Sequence, residues 1–477
     1  MGEWETVIGL EIHAELNTKT KIYCGCKNEF GAAPNTNVCP VCMGLPGALP
    51  VMNRKVTEYA VKMGHALNCV INPVSSQARK NYFYPDLPKA YQISQGEFPI
   101  CGKGHLDILV DGKVRRIGIN RIHTEEDAGK LIHDGAYSGS LVDLNRCGVP
   151  LIEIVTEPDL RSSHEAWIFL TMIKSILRYI DISDCKMQEG SIRCDVNVSV
   201  RKSGQPLGTR CEMKNINSFS GAVRAIEFEA DRQIRLLENG CTVVQETRRW
   251  DDMNGKSTVM RTKENAQDYR YFPEPDMGAT VLEERYIAEI GAQVPELPNK
   301  KQIRYVNEYG MSETDAYTLV LDCDKSAFFD ACCAVGICTP KEAAKWVIGD
   351  ISRYTNDTGI SVIDTKLTPQ SLAELVKYVE NNTVSVSGAK KVFDILISEG
   401  GVTAEIIRKL GVEQNSDADF IEKLVEKIIQ ANEKSVADYR NGKDKALGFL
   451  VGQAMKMSQG RANPALVREA VQRRLAE

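Results

Sequence analysis

The chain lacks any run of about 18 apolar residues, the length that a membrane-spanning helix requires. Its N-terminus also lacks the basic-then-apolar layout of a secretion signal. Positive charge is not in excess, because 59 Lys and Arg stand against 64 Asp and Glu. These absences predict a cytoplasmic protein without a membrane segment. They argue against nucleic-acid binding through overall positive charge, although a local basic surface is compatible with a net charge of −5.

Familiar nucleotide-binding and hydrolase signatures are also missing. Gly255-Lys256-Ser257 matches the end of a P-loop, but Trp250 stands where the first glycine is required. No GxGxxG, HExxH or GxSxG segment occurs. We therefore expect any ATP site to use a sheet face and a bound metal instead of a glycine-rich loop.

Fifteen cysteines occur in a chain of 477 residues, which is long enough for two or three domains. A chain of this size without a secretion signal is expected to keep its thiols reduced. Most of the cysteines are scattered, and we expect them to behave as small buried hydrophobes.

Four cysteines differ in their spacing: Cys24, Cys26, Cys39 and Cys42 form a CxC…CxxC set. Two close pairs joined by a loop favour a tetrahedral zinc site, and four thiolates would fill its coordination shell. Such a zinc ion would be structural. The alternative is four free thiols, because CxC is less usual than CxxC.

The segment from Val7 to Leu16 alternates strictly between apolar and other residues, which predicts a half-buried strand. Its polar face carries Glu11, His13 and Glu15. This face is either an acidic surface exposed to solvent or a set of metal ligands.

Further acidic and amide groups occupy strand-like segments later in the chain. Glu153 lies within an apolar run, Asp195 and Asn197 alternate with apolar residues, and Glu125 follows another alternating stretch. An antiparallel sheet with one open polar face could gather these groups into one site. Oxygen ligands with an imidazole favour Mg²⁺ or Mn²⁺, and Mg²⁺ commonly neutralises phosphates.

Two segments, residues 77–92 and 268–276, interleave basic, aromatic and proline residues. Each is either a rigid corner packed on the core or one wall of a pocket for a nucleotide or a tRNA end. Beyond Pro295 and Pro298 the pattern is helical. Small residues and lysines between 443 and 456 indicate close helix packing or contact with RNA.

Longer phrases give these segments a common origin. Their order along the chain resembles the B-subunit family of aspartyl/glutamyl-tRNA amidotransferases, GatB. The phrases are VIGLEIHAE (7–15), RKNYFYPDLPKAYQISQ (79–95), EEDAGK (125–130), LIEIVTEPD (151–159), RCDVN (193–197), YRYFPEP (269–275) and GFLVGQAM (448–455). The resemblance covers essentially the whole chain.

The resemblance implies an α+β fold with three parts. Residues 1–294 would form a catalytic cradle domain with a mainly antiparallel sheet, and residues 295–405 an all-α linker domain. Residues 406–477 would form a small helical tail domain that binds tRNA. It also implies an ATP-dependent carbon–nitrogen ligase, in which the B subunit phosphorylates the side-chain carboxyl of misacylated Glu-tRNA(Gln) or Asp-tRNA(Asn). Ammonia from the glutaminase, the A subunit, then forms the amide, and the small C subunit holds the other two together.

By resemblance, Glu11, His13, Glu125 and Glu153 match the family's Mg²⁺ ligands, and Asp195 matches a nearby acidic position. The four cysteines at 24, 26, 39 and 42 match the zinc-bearing branch of the family. No Gly/Ser-rich amidase motif with a Ser-Ser-Lys set occurs, so the glutaminase would be another chain.

Two other functions fit part of the sequence. A non-catalytic tRNA-binding scaffold with a degenerate metal site would explain the helical end, but RNA repels unpaired carboxylates unless a cation is present. A stand-alone carboxylate–amine ligase would explain the acidic sheet, but it leaves the helical C-terminal third without a role.

Overall fold

The computed structural model describes residues 4–133, 138–262, 269–414, 417–440, 443, 445–458 and 462–476. The chain divides into two compact units, Met1–Ile303 and Arg304–Glu477. The finer boundaries expected after residues 294 and 405 stay predictions. Within the described ranges, no helix is both long enough and apolar enough to cross a membrane.

The strands of the first unit form an eight-stranded sheet and three small sheets. In chain order they are β1 (Trp4–Glu15), β2 (Val74–Ser75), β3 (Ala78–Asn81), β4 (Tyr91–Ser94), β5 (Gly104–Val110), β6 (Lys113–Glu126), β7 (Lys130–Ile132), β8 (Leu141–Asp143), β9 (Pro150–Thr156), β10 (Ile192–Lys202), β11 (Cys211–Lys214), β12 (Glu246–Asp251), β13 (Lys256–Thr262), β14 (Phe272–Pro273) and β15 (Thr280–Val281). The large sheet has the order β13-β12-β11-β10-β1-β9-β6-β5. All of its neighbouring strands are antiparallel except β11 and β12, so the expected mainly antiparallel sheet is confirmed.

The helices follow in chain order. They are α1 (Arg54–Ala66), α2 (Ser163–Tyr179), α3 (Phe219–Glu238), α4 (Glu284–Gly291), α5 (Pro298–Tyr309), α6 (Glu313–Val320), α7 (Cys323–Ala334), α8 (Pro340–Trp346), α9 (Ser352–Thr358), α10 (Pro369–Glu380), α11 (Val386–Ser398), α12 (Thr403–Leu410), α13 (Ala418–Ala431), α14 (Glu433–Arg440), α15 (Lys445–Met457) and α16 (Pro464–Ala476). Short 3₁₀ turns lie at Met187–Glu189 and Val362–Asp364, and one π-helical turn lies at Val347–Ile351.

Strand β1 lies inside the large sheet, between β10 and β9. Its apolar residues Ile8, Leu10 and Ile12 are at most 1% exposed, whereas the alternate residues Glu11 and His13 are partly accessible. Each such Ile or Leu contributes about 1.5–3 kcal/mol by burial. The alternation therefore fixes which face of the sheet joins the core and which face stays polar.

Helices α2 and α3 pack against each other, and they contact β5 and β10 respectively. The expected cap of α2 is present, because Ser162 Oγ accepts the Glu165 amide at 3.1 Å. The Glu165 carboxylate accepts the amide of Arg161 at 2.7 Å, not that of Ser162. The expected capping box is therefore only half formed.

The two proline-aromatic segments pair with each other. Strand β14 is antiparallel to β3, with Phe272 opposite Arg79, and β4 completes this three-stranded sheet. Arg79 also donates to both oxygens of Glu274 at 2.8 Å. The segments are thus neighbouring strands of one sheet. Asp268, the first residue of the second segment, lies outside the described residues.

The second unit is helical in its described residues, as expected. Its buried apolar residues form two groups, one from Tyr305 to Ile407 and one from Ile421 to Leu475. Helix α10 begins with the expected proline, and Thr368 and Ser371 form a capping box there.

One expectation about the cysteines is wrong. Cys101, Cys194 and Cys211 are buried as expected, but Cys241 is exposed. It follows Gly240, which lies just beyond the end of α3 and has a φ of 73°. The chain leaves the helix there toward solvent, so this thiol has no core to join.

Candidate active site

Strand register brings His13, Glu153 and His123 into one row across three neighbouring strands. His13 of β1 lies opposite Glu153 of β9, and Glu153 lies opposite His123 of β6. Paired residues share a face of a sheet, so all three side chains project to the polar side. The adjacent pair Ile12 and Ile154 projects to the other side and is fully buried.

Glu125, two residues beyond His123 on β6, completes this group. His13 Nε2 lies 3.3 Å from Glu125 Oε1 and 3.4 Å from Glu153 Oε2. His123 Nε2 lies 3.1 Å from the same Glu153 oxygen. His13, Glu125 and Glu153 each offer one ligand atom within 4.8 Å of the others, so the group could hold a metal ion.

The charges of this group stabilise one another. Burial alone would lower the pKa of both imidazoles, but the carboxylates outweigh it and raise the pKa of His13 to about 10 and that of His123 to about 9. Burial would likewise raise the pKa of Glu125 and Glu153, but the imidazoles hold the pKa of both carboxyls below their usual range. Both carboxylates are therefore ionised at neutral pH.

Glu11 belongs to a second acidic group beside the first, together with Asp195 and Glu212. Glu11 lies opposite Asp195 in the β1–β10 register and accepts Asn197 Nδ2 at 3.0 Å. Burial, and then the charge of Glu153, raise the pKa of Glu11. The four residues expected to form one Mg²⁺ site therefore divide into a group of three and a neighbouring carboxylate.

Lys214 of β11 neutralises part of this second group. Its ammonium is in contact with Asp195 and lies 2.8 Å from Glu212 Oε1. Burial would lower the pKa of Lys214, but Asp195 and then Glu212 raise it. The polar face thus carries a concentration of acids, with a lysine held at one side.

The small β14-β3-β4 sheet contributes a further cation and a hydroxyl. Ser94 Oγ lies 3.4 Å from Glu125 Oε2. Burial would lower the pKa of Lys80, but the negative charge of Glu125 raises it. The Lys80 ammonium also lies 4.8 Å from the ring centroid of Tyr269. The expected pocket wall therefore adjoins the acidic group.

A cavity of 580 Å³ opens at the Glu15 end of the polar face. Its lining includes Lys130 and Arg146 together with Asp143 and Asp184. Burial, and then Asp127, raise the pKa of Glu15 to about 7. The volume lies within the range of ordinary small-ligand sites.

The four cysteines at 24, 26, 39 and 42 converge as expected, with their sulfurs within 4.8 Å of one another, so this cluster could bind a metal. The sulfurs of Cys39 and Cys42 are 3.8 Å apart. Zinc–sulfur bonds of about 2.3 Å require tetrahedral sulfur–sulfur distances of about 3.8 Å. The observed spacing fits that requirement.

Known proteins share both units of this chain. A family described as the GatB/GatE catalytic domain matches residues 6–288, and one described as the GatB domain matches residues 327–475. The chain is 55% identical over 477 residues to the B subunit of the aspartyl/glutamyl-tRNA(Asn/Gln) amidotransferase of Caldicellulosiruptor bescii, and the alignment covers 99% of each chain.

This chain belongs to the GatB family. Relatives of the same name from Clostridium botulinum and Carboxydothermus hydrogenoformans are 50% and 48% identical to it, and the alignments cover 98% and 100% of each chain. The GatB catalytic-domain match contains the row of His13, Glu153 and His123 as well as the cysteine cluster.

Sequence reasoning missed three residues of this GatB site. His123 lies in the histidine–carboxylate row, and Glu212 and Lys214 belong to the second group. A usable signal existed for His123, because it stands two residues before Glu125 on a strand and therefore shares its face. Glu212 and Lys214 show the same spacing, but their segment is only four residues long.

Proposed function

We propose that the chain is the B subunit of a glutamine-dependent tRNA amidotransferase and an ATP-dependent carbon–nitrogen ligase. Its substrate would be a tRNA that carries glutamate where glutamine is required, or aspartate where asparagine is required. One observation carries the proposal: His13, Glu125 and Glu153 meet on an open polar sheet face in a chain whose relatives bear that name. A charged tRNA as substrate favours a cytoplasmic location.

A carboxylate is a poor acyl donor, because its oxygen is a poor leaving group. In the proposed reaction a side-chain carboxylate oxygen attacks the γ-phosphorus of ATP, and ADP leaves. Ammonia then attacks the acyl carbon of the acyl phosphate, inorganic phosphate departs with that oxygen, and a proton is lost as the amide forms. The chain's task is to position two anions and to stabilise the charge between them.

The residues of the polar face divide this task. His13, Glu125 and Glu153 would hold Mg²⁺, and Glu11 and Asp195 would lie beside it. When bound, Mg²⁺ would supply charge neutralisation at the phosphoryl oxygens.

Three cations support these acidic groups. Lys214 holds Asp195 in place, and Lys80 supplies positive charge on the side of Glu125. His123 holds the Glu153 carboxylate in place through their 3.1 Å contact. Each acid that faces the proposed metal is thereby fixed in position before any substrate binds.

The metal assignment fits the ligand chemistry. Carboxylate oxygens with one imidazole are compatible with Mg²⁺, which usually keeps several waters and shares the phosphate oxygens of its nucleotide. The acids of the site also repel one another, since the negative charge of Glu153 raises the pKa of Glu11. A divalent ion would relieve that repulsion.

We propose separately that Cys24, Cys26, Cys39 and Cys42 bind a structural zinc ion. The sulfur spacing supports this assignment, and four thiolates leave no coordination position for a substrate. This zinc would fix the loop that joins the two cysteine pairs, and it would take no part in the reaction.

The proposed partners follow from the chemistry that the chain lacks. A glutaminase, the amidase or A subunit of the complex, would supply ammonia, and a small C subunit would join it to this chain. The helical residues 406–477 would bind tRNA, with the lysines at 443, 445 and 456 as points of phosphate contact.

The test uses the full chain with its glutaminase and small-subunit partners, charged Glu-tRNA, ATP, Mg²⁺ and free ammonia. Glu153→Gln and Glu11→Gln should each lower amide formation by at least about 100-fold, because each removes a charge that the metal site uses. Affinity for tRNA should change less than about threefold, since neither residue would touch the tRNA backbone.

Asp107→Asn is the matched control, because it removes a carboxylate from β5 of the same sheet, where Asp107 pairs with exposed Arg116 at 2.8 Å. It should leave amide formation near the wild-type rate. Loss of tRNA binding in the Glu153 or Glu11 variant would contradict the metal role. Tight tRNA binding without amide formation in the wild-type complex would favour a scaffold.

A further inference from the structure

Lys21 is fully buried in the first unit, next to the cysteine cluster. Its backbone amide donates to the carbonyl of Cys26 at 3.0 Å. Its ammonium donates to the carbonyl of Asn37 at 2.9 Å and lies 3.8 Å from the sulfur of Cys42. One lysine thus contacts the first cysteine pair through its backbone and the second pair through its side chain.

No carboxylate of the described residues lies within 4.0 Å of the Lys21 ammonium. A buried charge is costly unless an opposite charge or several hydrogen bonds compensate for it. One carbonyl and one sulfur are weak compensation if the sulfur belongs to a neutral thiol. The interior around Lys21 therefore requires a source of negative charge.

A zinc ion bound by four thiolates would meet this requirement. Four thiolate charges and one Zn²⁺ leave a net charge of two minus, spread over the sulfurs. Lys21 is close enough to lower the pKa of Cys42 as one of several causes, after the hydrogen bond from Cys24 and against burial. The ammonium and the cluster thus have opposite charges in a place that water does not reach.

We propose that Lys21 is the internal counter-cation of a zinc tetrathiolate at Cys24, Cys26, Cys39 and Cys42. The inference rests on the zinc site proposed above and adds a positioning residue to it. Zinc and Lys21 then stabilise each other: the ammonium favours the ionised thiolates, and the bound cluster compensates the buried ammonium. Four neutral thiols would leave the same ammonium uncompensated.

The proposal predicts a reversal of sign in stability. Lys21→Met keeps most of the side-chain volume and removes the charge. With zinc bound, the variant should unfold at a lower temperature than the wild type, because the cluster loses its counter-charge. With zinc removed, the variant should unfold at a higher temperature, because the wild type then buries an uncompensated ammonium.

The experiment measures zinc affinity by competition with a chelator and thermal unfolding with and without zinc, on the full-length chain. Lys21→Met should weaken zinc binding by about 10- to 100-fold, the usual effect of removing a residue that supports metal ligands. The weakening should persist at about 1 M salt, because salt screens buried charges poorly. Substitution of Co²⁺ for zinc should show the same loss through its thiolate charge-transfer absorption.

Two further variants isolate the charge. Lys21→Gln retains a hydrogen-bond donor for Asn37 but carries no charge, so it should behave like Lys21→Met. Lys62→Met is the control, because Lys62 also donates to a backbone carbonyl, that of Ile180 at 2.8 Å. It should leave zinc affinity unchanged.

The outcomes separate this inference from the zinc site itself. A wild-type chain that binds no zinc would overturn the zinc site and, with it, the inference. Zinc binding that is equally tight in Lys21→Gln and the wild type would overturn the inference alone. So would a fall in unfolding temperature that is the same with and without zinc, because it would assign Lys21 a purely structural hydrogen bond.

Discussion

Glu229 of α3 is fully buried, and its carboxylate joins that helix to the large sheet. Arg232 donates to both of its oxygens at 2.7 and 2.8 Å, and Gln233 donates to Oε1 at 2.7 Å. Arg248 of β12 approaches it to 3.7 Å. Removing one partner of a buried ion pair leaves the other uncompensated, which costs more than the pair contributes.

We therefore expect Glu229→Ala to lower the free energy of unfolding by about 3–5 kcal/mol, as measured by denaturant titration of the full chain. Asp231→Ala on the same helix is the control. Asp231 pairs with Arg235 at 3.6 Å in an exposed position, so its loss should cost less than about 1 kcal/mol. Equal losses in the two variants would mean that burial does not govern this network.

At this scale the sequence predicts residue identity better than residue partnership. Glu11, His13, Glu125 and Glu153 could be named before the structure, because their alternation and their family phrases single them out. The division that separates Glu11 from the other three depends on side-chain positions across the register, which no single segment encodes. The same reason hides the pairing of Glu229 with Arg248.

Among the elements, the turn that carries Cys39 and Cys42 is linked through Lys89 to the strand end that carries the acidic group. Gly44 in this turn has a φ of 66°, and a Cβ placed there would lie 2.4 Å from Lys89 Cγ. Lys89 donates to Glu126 Oε2 at 2.6 Å, and Glu126 Oε1 accepts the amide of Ile93 at 2.9 Å. The turn therefore supports the end of β6, next to Glu125.

Gly44→Ala should destabilise the chain through two effects. The left-handed backbone costs about 1–2 kcal/mol for a residue with a side chain. Displacement of Lys89 should add about 1–3 kcal/mol. Gly47→Ala isolates the first effect, because Gly47 has a φ of 83° and no atom within 4 Å of its would-be Cβ. Chemical denaturation that gives the same loss for both variants would disprove the contact with Lys89.

Elements were predictable where a regular pattern dominates. Strict alternation identifies β1, and a Thr-Pro start identifies α10. Irregularities were not visible, and β6 shows why. Its register against β9 shifts between Ile119 and Arg121, which places both Asn120 and Arg121 between the core-facing Ile119 and Ile122. Such a bulge depends on the partner strand, which is about thirty residues further along the chain.

For the whole molecule, the sheet is the device that assembles the site. His13, His123 and Glu153 are distant in sequence and become neighbours only because β1, β9 and β6 are adjacent. The family phrases predicted the α+β fold and the helical second unit, and both are confirmed. Strand order could not be predicted from pattern alone, since many orders bury the same apolar faces.

The central claim is that this chain, with its partners, phosphorylates the carboxylate of a tRNA-bound amino acid. The most direct test labels both side-chain carboxylate oxygens of glutamate on the tRNA with ¹⁸O and supplies ATP, Mg²⁺ and ammonia. If an acyl phosphate forms, each amide made should release one inorganic phosphate that contains a single ¹⁸O. Amide formation and ATP hydrolysis without ¹⁸O in the phosphate would contradict the account.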